Sequence, residues 1–289
     1  MKKQTNKIQA FIKLIRVKQY VKNILIFLPL FFSGSFFDGD TFVKTLIGFV
    51  LFCLVASVVY VTNDLNDIEK DKKHPKKKYR PLASGAISKR QAIGIVSVML
   101  ALTIAASALL LDPWALMLMA TYLVMNIVYS TKLKHTPLVD VAIIAAGFYI
   151  RLLYGGVVSG IPLSIYILLT VLFLSLFMGF GKRRNELIHN GVDSRKVLKY
   201  YSKDFLDKNM YVMVALSLAF YALWVISAYP KDQVMMTTIP LVTFLMIRYS
   251  FVIEQDTSDG DPSEVLLSDK TIMILGLLVA IVMAIGVYV

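Results

Sequence analysis

Three aspartates have a spacing that suits metal and phosphate chemistry. Asp64, Asp67 and Asp71 stand at positions i, i+3 and i+7, so on one continuous α-helix their carboxylates would share a single stripe. Asn63 and Asn66 flank them. Like charges stacked in this way repel each other, and a bound cation removes the repulsion. Magnesium suits such a site because it takes carboxylates together with substrate phosphate oxygens.

A second interpretation of these aspartates needs no metal. Lys70, Lys72 and Lys73 follow within a few residues, so the carboxylates could form a solvated acidic helix end that pairs with lysines. The regular three-carboxylate spacing, with asparagine beside it, favours the metal site.

The elements that position these residues are those of a membrane protein. The chain has 289 residues, of which 57% are hydrophobic, and its mean hydropathy of +0.67 excludes two soluble domains. Apolar segments of spanning length predict an all-α, polytopic membrane fold with nine transmembrane helices in a single domain, residues 1–289. The predicted segments are 21–37, 46–62, 92–111, 114–130, 138–158, 164–181, 210–228, 234–253 and 271–289. The first contains Pro29 and is expected to tilt or kink.

The positive charges predict the orientation in the membrane. All but three of the 31 Lys and Arg residues lie in the N-terminal segment up to Lys22, in alternate connections between the predicted helices or, for Arg248, near the end of the helix that leads into such a connection; the exceptions are Lys44, Arg151 and Lys231. Because Lys and Arg accumulate on cytoplasmic loops, we expect a cell-membrane protein with a cytoplasmic N-terminus, an external C-terminus and a site that faces the cytoplasm. Topology and anionic membrane lipids account for the net charge of +12, so no nucleic-acid partner is expected.

Other metal and processing signals are weak. The single cysteine, Cys53, excludes an intramolecular disulfide and a Cys-based metal cluster, and three histidines give little support to a zinc site. The basic N-terminal stretch has no small-residue cleavage site, so we expect it to remain in the mature chain.

The aspartate motif carries a family resemblance. The pattern Asn63-Asp64-x-x-Asp67-x-x-x-Asp71 resembles the NDxxDxxxD signature of the UbiA superfamily of intramembrane transferases, and nine helices with long second and sixth cytoplasmic loops also resemble that family. The resemblance implies helices around a central cavity that opens to the cytoplasm. It also implies that Asn63 and the three aspartates bind Mg²⁺, which holds a substrate diphosphate, and that the aspartates are catalytic.

The sixth cytoplasmic loop departs from the ordinary prenyltransferases of that superfamily. Where those enzymes carry a second aspartate motif, this chain has Lys182, Arg183 and Arg184 with Glu186 nearby. Asp204 and Asp207 come later and are interpreted as surface charge. A site with fewer carboxylates and more cations should bind more phosphate with fewer metal ions.

This departure is similar to one branch, the decaprenyl-phosphate phosphoribosyltransferases. The stretches that carry the resemblance are Arg16-x-x-Gln19-Tyr20-x-Lys22-Asn23, His74-Pro75-x-x-x-x-Arg80-Pro81, Tyr129-Ser130-x-x-Leu133-Lys134-His135, Asp140, Arg151 with Gly155-Gly156, and Gly181-Lys182-Arg183-x-x-Glu186. The resemblance implies Mg²⁺-dependent transfer of 5-phosphoribose from phosphoribosyl pyrophosphate to a polyprenyl phosphate, for a lipid-linked pentose of the cell envelope. The expected substrate-binding residues are Lys22, Asn23, Asn63, Arg80, Tyr129, Lys134, Arg151, Lys182, Arg183 and Glu186.

Arg151 is unusual because it lies inside an apolar predicted helix, where arginine is costly and usually functional. Asp140 shares its face but lies about 16 Å away along the axis. Each therefore needs a partner from another helix or from the substrate, and Arg151 could line a cavity or serve the fold. Tyr129 and Tyr149 could position ribose, although aromatic residues at such places also pack or form interfacial belts.

Two other functions stay open at this point. An aromatic prenyltransferase of the same fold would use an isoprenyl diphosphate donor, although the second aspartate motif is missing. A transporter or flippase would use Arg151 and Asp140 as pathway residues, but it leaves the one-sided collection of aspartates and cations unexplained. The sequence does not decide whether the chain forms a homo-oligomer.

Overall fold

The protein is helical throughout its described parts. The computed structural model describes residues 7–110, 112–131, 133–191, 196–255 and 268–289. The α-helices are α1 Lys7–Leu14, α2 Leu28–Phe32, α3 Gly39–Asn66, α4 Ile68–Lys73, α5 Lys89–Leu110, α6 Pro113–Thr131, α7 Val139–Ser159, α8 Ile165–Asn190, α9 Lys203–Ala228, α10 Gln233–Glu254 and α11 Lys270–Tyr288. The 3₁₀ segments are Val17–Phe27, Lys77–Tyr79, Leu133–His135 and Lys196–Tyr200.

Within these ranges, eight helices are long and apolar enough to cross a membrane: α3 and each helix from α5 to α11. They agree with the last eight predicted segments, although residue 111, at the end of one of them, lies outside the described residues. The prediction of a multi-pass, all-α membrane fold is confirmed.

The first predicted helix, 21–37, is different and needs a correction. It is not one α-helix: a 3₁₀ segment, Val17–Phe27, leads into the short α2. Pro29 lies in the first turn of α2. Because proline has no backbone N–H to donate, it cannot continue a regular α-helix from the preceding turn.

The helix α7 lies centrally and packs against α3, α6 and α8. It also packs against the 3₁₀ segment Val17–Phe27. A glycine makes the last of these contacts possible. A β-carbon on Gly155 would lie only 2.3 Å from the backbone oxygen of Ile26. The 3₁₀ segment therefore approaches α7 backbone to backbone, and residues on the two elements reach each other.

The two ends of the bundle differ in character. At one end, the Tyr229 hydroxyl donates to the Phe32 carbonyl at 2.7 Å and the Tyr288 hydroxyl donates to the Phe31 carbonyl at 2.8 Å. At the other end lie Asp64 and the charged residues described below. The polar chemistry is thus concentrated at the end where α3 finishes.

We expect Gly155→Ala to destabilise the fold, because the added methyl must displace backbone atoms of Ile26 rather than a flexible side chain. Overpacking of this kind costs about 1–3 kcal/mol. The unfolding midpoint can be followed in detergent with a thiol-reactive dye, since the buried Cys53 is the only cysteine. Gly276→Ala is the matched control, because its β-carbon would meet nothing within 4 Å. Equal midpoints for the two variants would contradict the close approach.

Candidate active site

The aspartate motif does not lie on one continuous helix, which corrects the single stripe expected from the spacing. The helix α3 ends at Asn66, Asp67 has backbone angles of φ −103° and ψ 11°, and α4 begins at Ile68. Asp67, at this break, does not share the cation that contacts Asp64 and Asp71. Asp64 and Asp71 are buried, whereas Asp67 is only half-buried.

Two arginines neutralise the buried pair. The Arg80 Nη1 atom lies 3.0 Å from Oδ1 of Asp64 and 2.7 Å from Oδ2 of Asp71. Arg16 forms a second ion pair with Asp64, and its guanidinium also lies 5.0 Å from the centre of the Tyr60 ring. Two carboxylates from two helices thus converge on one cationic nitrogen.

Asp67 faces a different cation. Its Oδ1 atom lies 3.5 Å from Nζ of Lys134, which belongs to the 3₁₀ turn Leu133–His135 after α6. Asn63 is half-buried on the last turn of α3, one residue before Asp64. The motif is therefore divided between a buried pair held by arginine and a more accessible aspartate held by lysine.

The donor set still fits magnesium. In the part of the chain that the structure describes, no three His, Cys, Asp or Glu side chains form a group that could hold a metal ion. Magnesium usually takes only one or two carboxylates and completes its coordination with waters and substrate phosphates. Asp64 and Asp71 already share a single cation, so two carboxylates lie close enough together to serve one ion.

A cavity of about 150 Å³ brings together four of the predicted substrate-binding residues, Lys22, Tyr129, Arg151 and Lys182. Tyr60, one helical turn before Asp64, lines it as well. The cavity therefore lies about 6 Å along α3 from the aspartate motif.

Arg151 is buried and bound to neutral groups on three elements. Its Nε donates to the Asn23 side chain at 2.7 Å, Nη1 to the Gly147 carbonyl at 2.6 Å and Nη2 to the Tyr122 hydroxyl at 2.9 Å. The expectation that Arg151 needs a partner from another element is confirmed. Asn23, predicted to bind substrate, is itself buried and bound to Arg151 and Cys53.

Arg183 and Glu186 do not line this cavity. Arg183 is fully buried, its Nε lies 3.0 Å from Asp140 Oδ2, and it also pairs with Glu186. The Tyr201 hydroxyl donates to Asp140 at 2.7 Å. Burial raises the pKa of Tyr201, so its hydroxyl stays protonated as this bond requires. The expected partner for Asp140 is confirmed, and the arrangement of Arg183 favours a structural role over the predicted phosphate contact.

The two later aspartates are also paired. Asp207 binds the buried Arg184 and is largely covered, whereas Asp204 lies 2.7 Å from Lys208 in an exposed pair. The interpretation as surface charge holds for Asp204. It is wrong for Asp207, whose ion pair anchors α9 to α8.

Sequence reasoning did not assign a site role to Arg16, Tyr60, Tyr122 or Asn126. Tyr122, Asn126 and the predicted Tyr129 stand at i, i+4 and i+7 on α6, and all three line the cavity. This polar stripe in an apolar helix was the available signal. The pairing of Arg16 with Asp64 spans 48 residues, and a local pattern does not reveal it.

The fold and the aspartate motif are those of an intramembrane transferase. Residues 24–275 match the UbiA prenyltransferase family, and the chain belongs to that family. The superfamily resemblance inferred from the motif is confirmed.

Relatives of nearly full length refine this placement. The chain is 35% identical to the decaprenyl-phosphate phosphoribosyltransferase of Corynebacterium glutamicum, over 98% of this chain and 88% of that protein. It is 33% identical to the enzyme of the same name from Mycobacterium tuberculosis, over 94% of this chain and 92% of that protein. The resemblance to this branch is therefore confirmed.

A solved structure has the same fold. A UbiA homolog from Archaeoglobus fulgidus bound to GPP and Mg²⁺ aligns with a TM-score of 0.72 at 18% identity, over 96% of this chain and 98% of the other. At this identity the likeness concerns the fold.

We expect Arg183→Gln to lower the stability of the protein, because breaking a buried ion pair costs about 3–5 kcal/mol. The matched control is Lys208→Gln, which removes an exposed pair that contributes about 0–1 kcal/mol. Unfolding midpoints in detergent measure both. A variant Arg183→Gln that keeps its midpoint but loses turnover would instead support the phosphate contact predicted from the sequence.

Proposed function

We propose that the protein transfers 5-phosphoribose from 5-phosphoribosyl 1-pyrophosphate to a decaprenyl-type polyprenyl phosphate. The products are a polyprenyl phosphoryl 5-phosphoribose and pyrophosphate. The lipid product then serves the synthesis of a lipid-linked pentose for the cell envelope. The relatives suggest both the lipid and the transferred group, because they are named decaprenyl-phosphate phosphoribosyltransferases.

One arrangement in the structure carries the proposal. A pair of carboxylates, Asp64 and Asp71, lies about one helical turn from a cavity lined by Lys22, Arg151 and Lys182. The carboxylates suit a metal-bound diphosphate, and the cations suit further phosphate groups. Two highly anionic substrates need both kinds of group, whereas an aromatic acceptor needs no such concentration of cations.

The residues that would hold Mg²⁺ are Asn63, Asp64, Asp67 and Asp71. When bound, the ion neutralises charge that develops on the departing pyrophosphate. Arg80 and Arg16 contact the same carboxylates, so we infer that they also hold the diphosphate. Lys134 at Asp67 supplies a further cation at this level.

The reaction is a nucleophilic displacement at C1 of the ribose. A lipid phosphate oxygen forms the new bond to C1 while the bond from C1 to the pyrophosphate oxygen breaks and the leaving group takes the electron pair. No general base is needed, because the attacking phosphate is already ionised at neutral pH. The protein therefore holds the two anions in line and stabilises the charge of the transition state.

The proposed orientation places this chemistry on the cytoplasmic side of the cell membrane. The aspartate motif, Arg80 and Lys134 lie at one end of the bundle, and the connections at this end carry most of the basic residues. From the positive-inside rule we infer that this end is cytoplasmic and that the end near Tyr288 is external.

Replacing two aspartates of the motif should abolish turnover. We expect the double variant Asp64→Asn with Asp67→Asn to lose Mg²⁺-dependent transfer by about 100-fold or more, since charge stabilisation at the reacting centre is removed. Transfer of label from ribose-labelled donor into the lipid phase measures this. Asp204→Asn, in an exposed pair far along the chain, is the control and should keep wild-type turnover. Retained turnover in the double variant would contradict the metal assignment.

The orientation can be tested with single cysteines on a Cys53→Ser background. The variants are Lys78→Cys and Lys231→Cys. Both positions are exposed and lie in connections predicted to face opposite sides of the membrane. A membrane-impermeant maleimide added to intact cells should label position 231 and leave position 78 unlabelled until the membrane is permeabilised. The reverse pattern would overturn the orientation.

A further inference from the structure

The buried arginines differ in how their charge is neutralised. Arg183 pairs with Asp140 and Glu186, and Arg184 pairs with Asp207. Arg151 is just as buried, with 5% of its surface exposed, yet it forms no ion pair with any residue that the structure describes. Its partners are an amide, a backbone carbonyl and a phenol.

An unneutralised charge inside a membrane protein is costly. The Arg151 guanidinium lies over the rings of Tyr122, Phe52 and Phe148, at 4.8, 5.3 and 5.7 Å from their centres. These contacts lower the free-energy cost of burying the guanidinium, but they do not neutralise its positive charge. The observed bonds also use only three of the five N–H groups of the guanidinium.

Two further cationic side chains face the same cavity. Lys22 and Lys182 line the same cavity as Arg151, and none of its lining residues is acidic. Hydroxyl and amide groups of Tyr60, Asn126 and Tyr129 complete its polar wall. A small space with three cations and neutral hydrogen-bonding groups is complementary to a compact, multiply charged anion.

We propose that this cavity binds a phosphate monoester, separately from the diphosphate at the aspartates. A volume of about 150 Å³ corresponds to roughly five water molecules, which leaves room for one phosphate group. At neutral pH a phosphate monoester carries nearly two negative charges, which are enough to neutralise Arg151 and to accept charged hydrogen bonds from other cations of the cavity wall. The inference rests on the proposed function, in which both substrates carry such a group.

Asn23 is the positioning residue of this site. Its side-chain oxygen accepts from Arg151 Nε and its amide nitrogen donates to Cys53 Sγ at 3.1 Å. The Nε bond fixes the plane of the guanidinium, so that the unused N–H groups keep a defined direction. Because Asn23 lies on the 3₁₀ segment that Gly155 admits close to α7, the packing described above also orients the arginine.

The phosphate can come from the 5-position of the donor ribose or from the lipid acceptor. Equilibrium binding to the purified full chain, with Mg²⁺ present, distinguishes these sources. The acceptor pair of probes is farnesyl phosphate and farnesol, and the donor pair is 5-phosphoribosyl 1-pyrophosphate and pyrophosphate. Within each pair, one probe lacks the phosphate monoester.

We expect Arg151→Gln to weaken the binding of one of the two monoester probes by about 10- to 100-fold. This is the loss of affinity typical of a charged hydrogen bond. Weaker binding of farnesyl phosphate, with unchanged binding of farnesol, assigns the acceptor phosphate to the cavity. Weaker binding of 5-phosphoribosyl 1-pyrophosphate, with unchanged binding of pyrophosphate, assigns the donor 5-phosphate to the cavity. Arg248→Gln, which removes an arginine paired with Asp269, is the matched control and should change each dissociation constant less than twofold.

Unchanged binding of both monoester probes would overturn the proposal, as would equal weakening of farnesol or pyrophosphate. Should Arg151→Gln fail to fold, Lys22→Gln tests the same cavity without removing the Arg151 network, and it should weaken the same probe. Monoester binding that depends on Arg151, in a protein that transfers no label between the substrates, would uphold this site while refuting the proposed function.

Discussion

Charged side chains between apolar helices must be neutralised close by, because neither lipid nor packed protein solvates them. The buried charged residues of the described chain are Asp64, Asp71, Asp140, Arg151, Arg183 and Arg184. Five of them are paired with opposite charges drawn from other elements, and these pairs tie α3 to its following loop, α7 to α8 and α8 to α9. Arg151 is the exception, and it lines the cavity. The same constraint therefore explains both the cohesion of the polar end and the position of the cavity.

The basic run on α8 illustrates the division between structure and binding. Successive residues on a helix point about 100° apart, so Lys182, Arg183 and Arg184 face three different neighbours. Lys182 reaches the cavity, Arg183 reaches Asp140 on α7, and Arg184 reaches Asp207 on α9. Two of the cations fix the helix and one lines the cavity, so the count of basic residues overstates the cations that the cavity contains.

Local patterns predicted most of the architecture. Long apolar runs gave eight spanning helices correctly, because the length and composition of a span are properties of the segment itself. The burial cost of Arg151 and Asp140 also predicted that each needs a partner. A break near Pro29 agrees with the kink expected in the first segment. Its 3₁₀ geometry was not predicted, because hydropathy does not depend on the type of helix.

The sequence pointed to some of the residues that the structure brings together, but not to their arrangement. Lys22, Tyr129, Arg151 and Lys182 do share one cavity, but the break at Asp67, the bridging role of Arg80 and the burial of Arg183 depend on contacts between distant parts of the chain. Asp64 meets Arg16 only because the N-terminal segment folds back onto the end of α3. Helical spacing, which assumes a continuous helix, cannot anticipate such pairs.

The most direct measurement follows two labels from one donor in the wild-type protein. Purified protein, Mg²⁺ and a polyprenyl phosphate are incubated with 5-phosphoribosyl 1-pyrophosphate labelled in the ribose and, distinguishably, in the β-phosphate. If the protein is a phosphoribosyltransferase, the ribose label enters the lipid phase and the β-phosphate label stays in water as pyrophosphate. EDTA then prevents both the transfer of ribose and the release of pyrophosphate. Both labels remaining in water, together with activity towards an isoprenyl diphosphate and an aromatic acceptor, would contradict phosphoribosyl transfer.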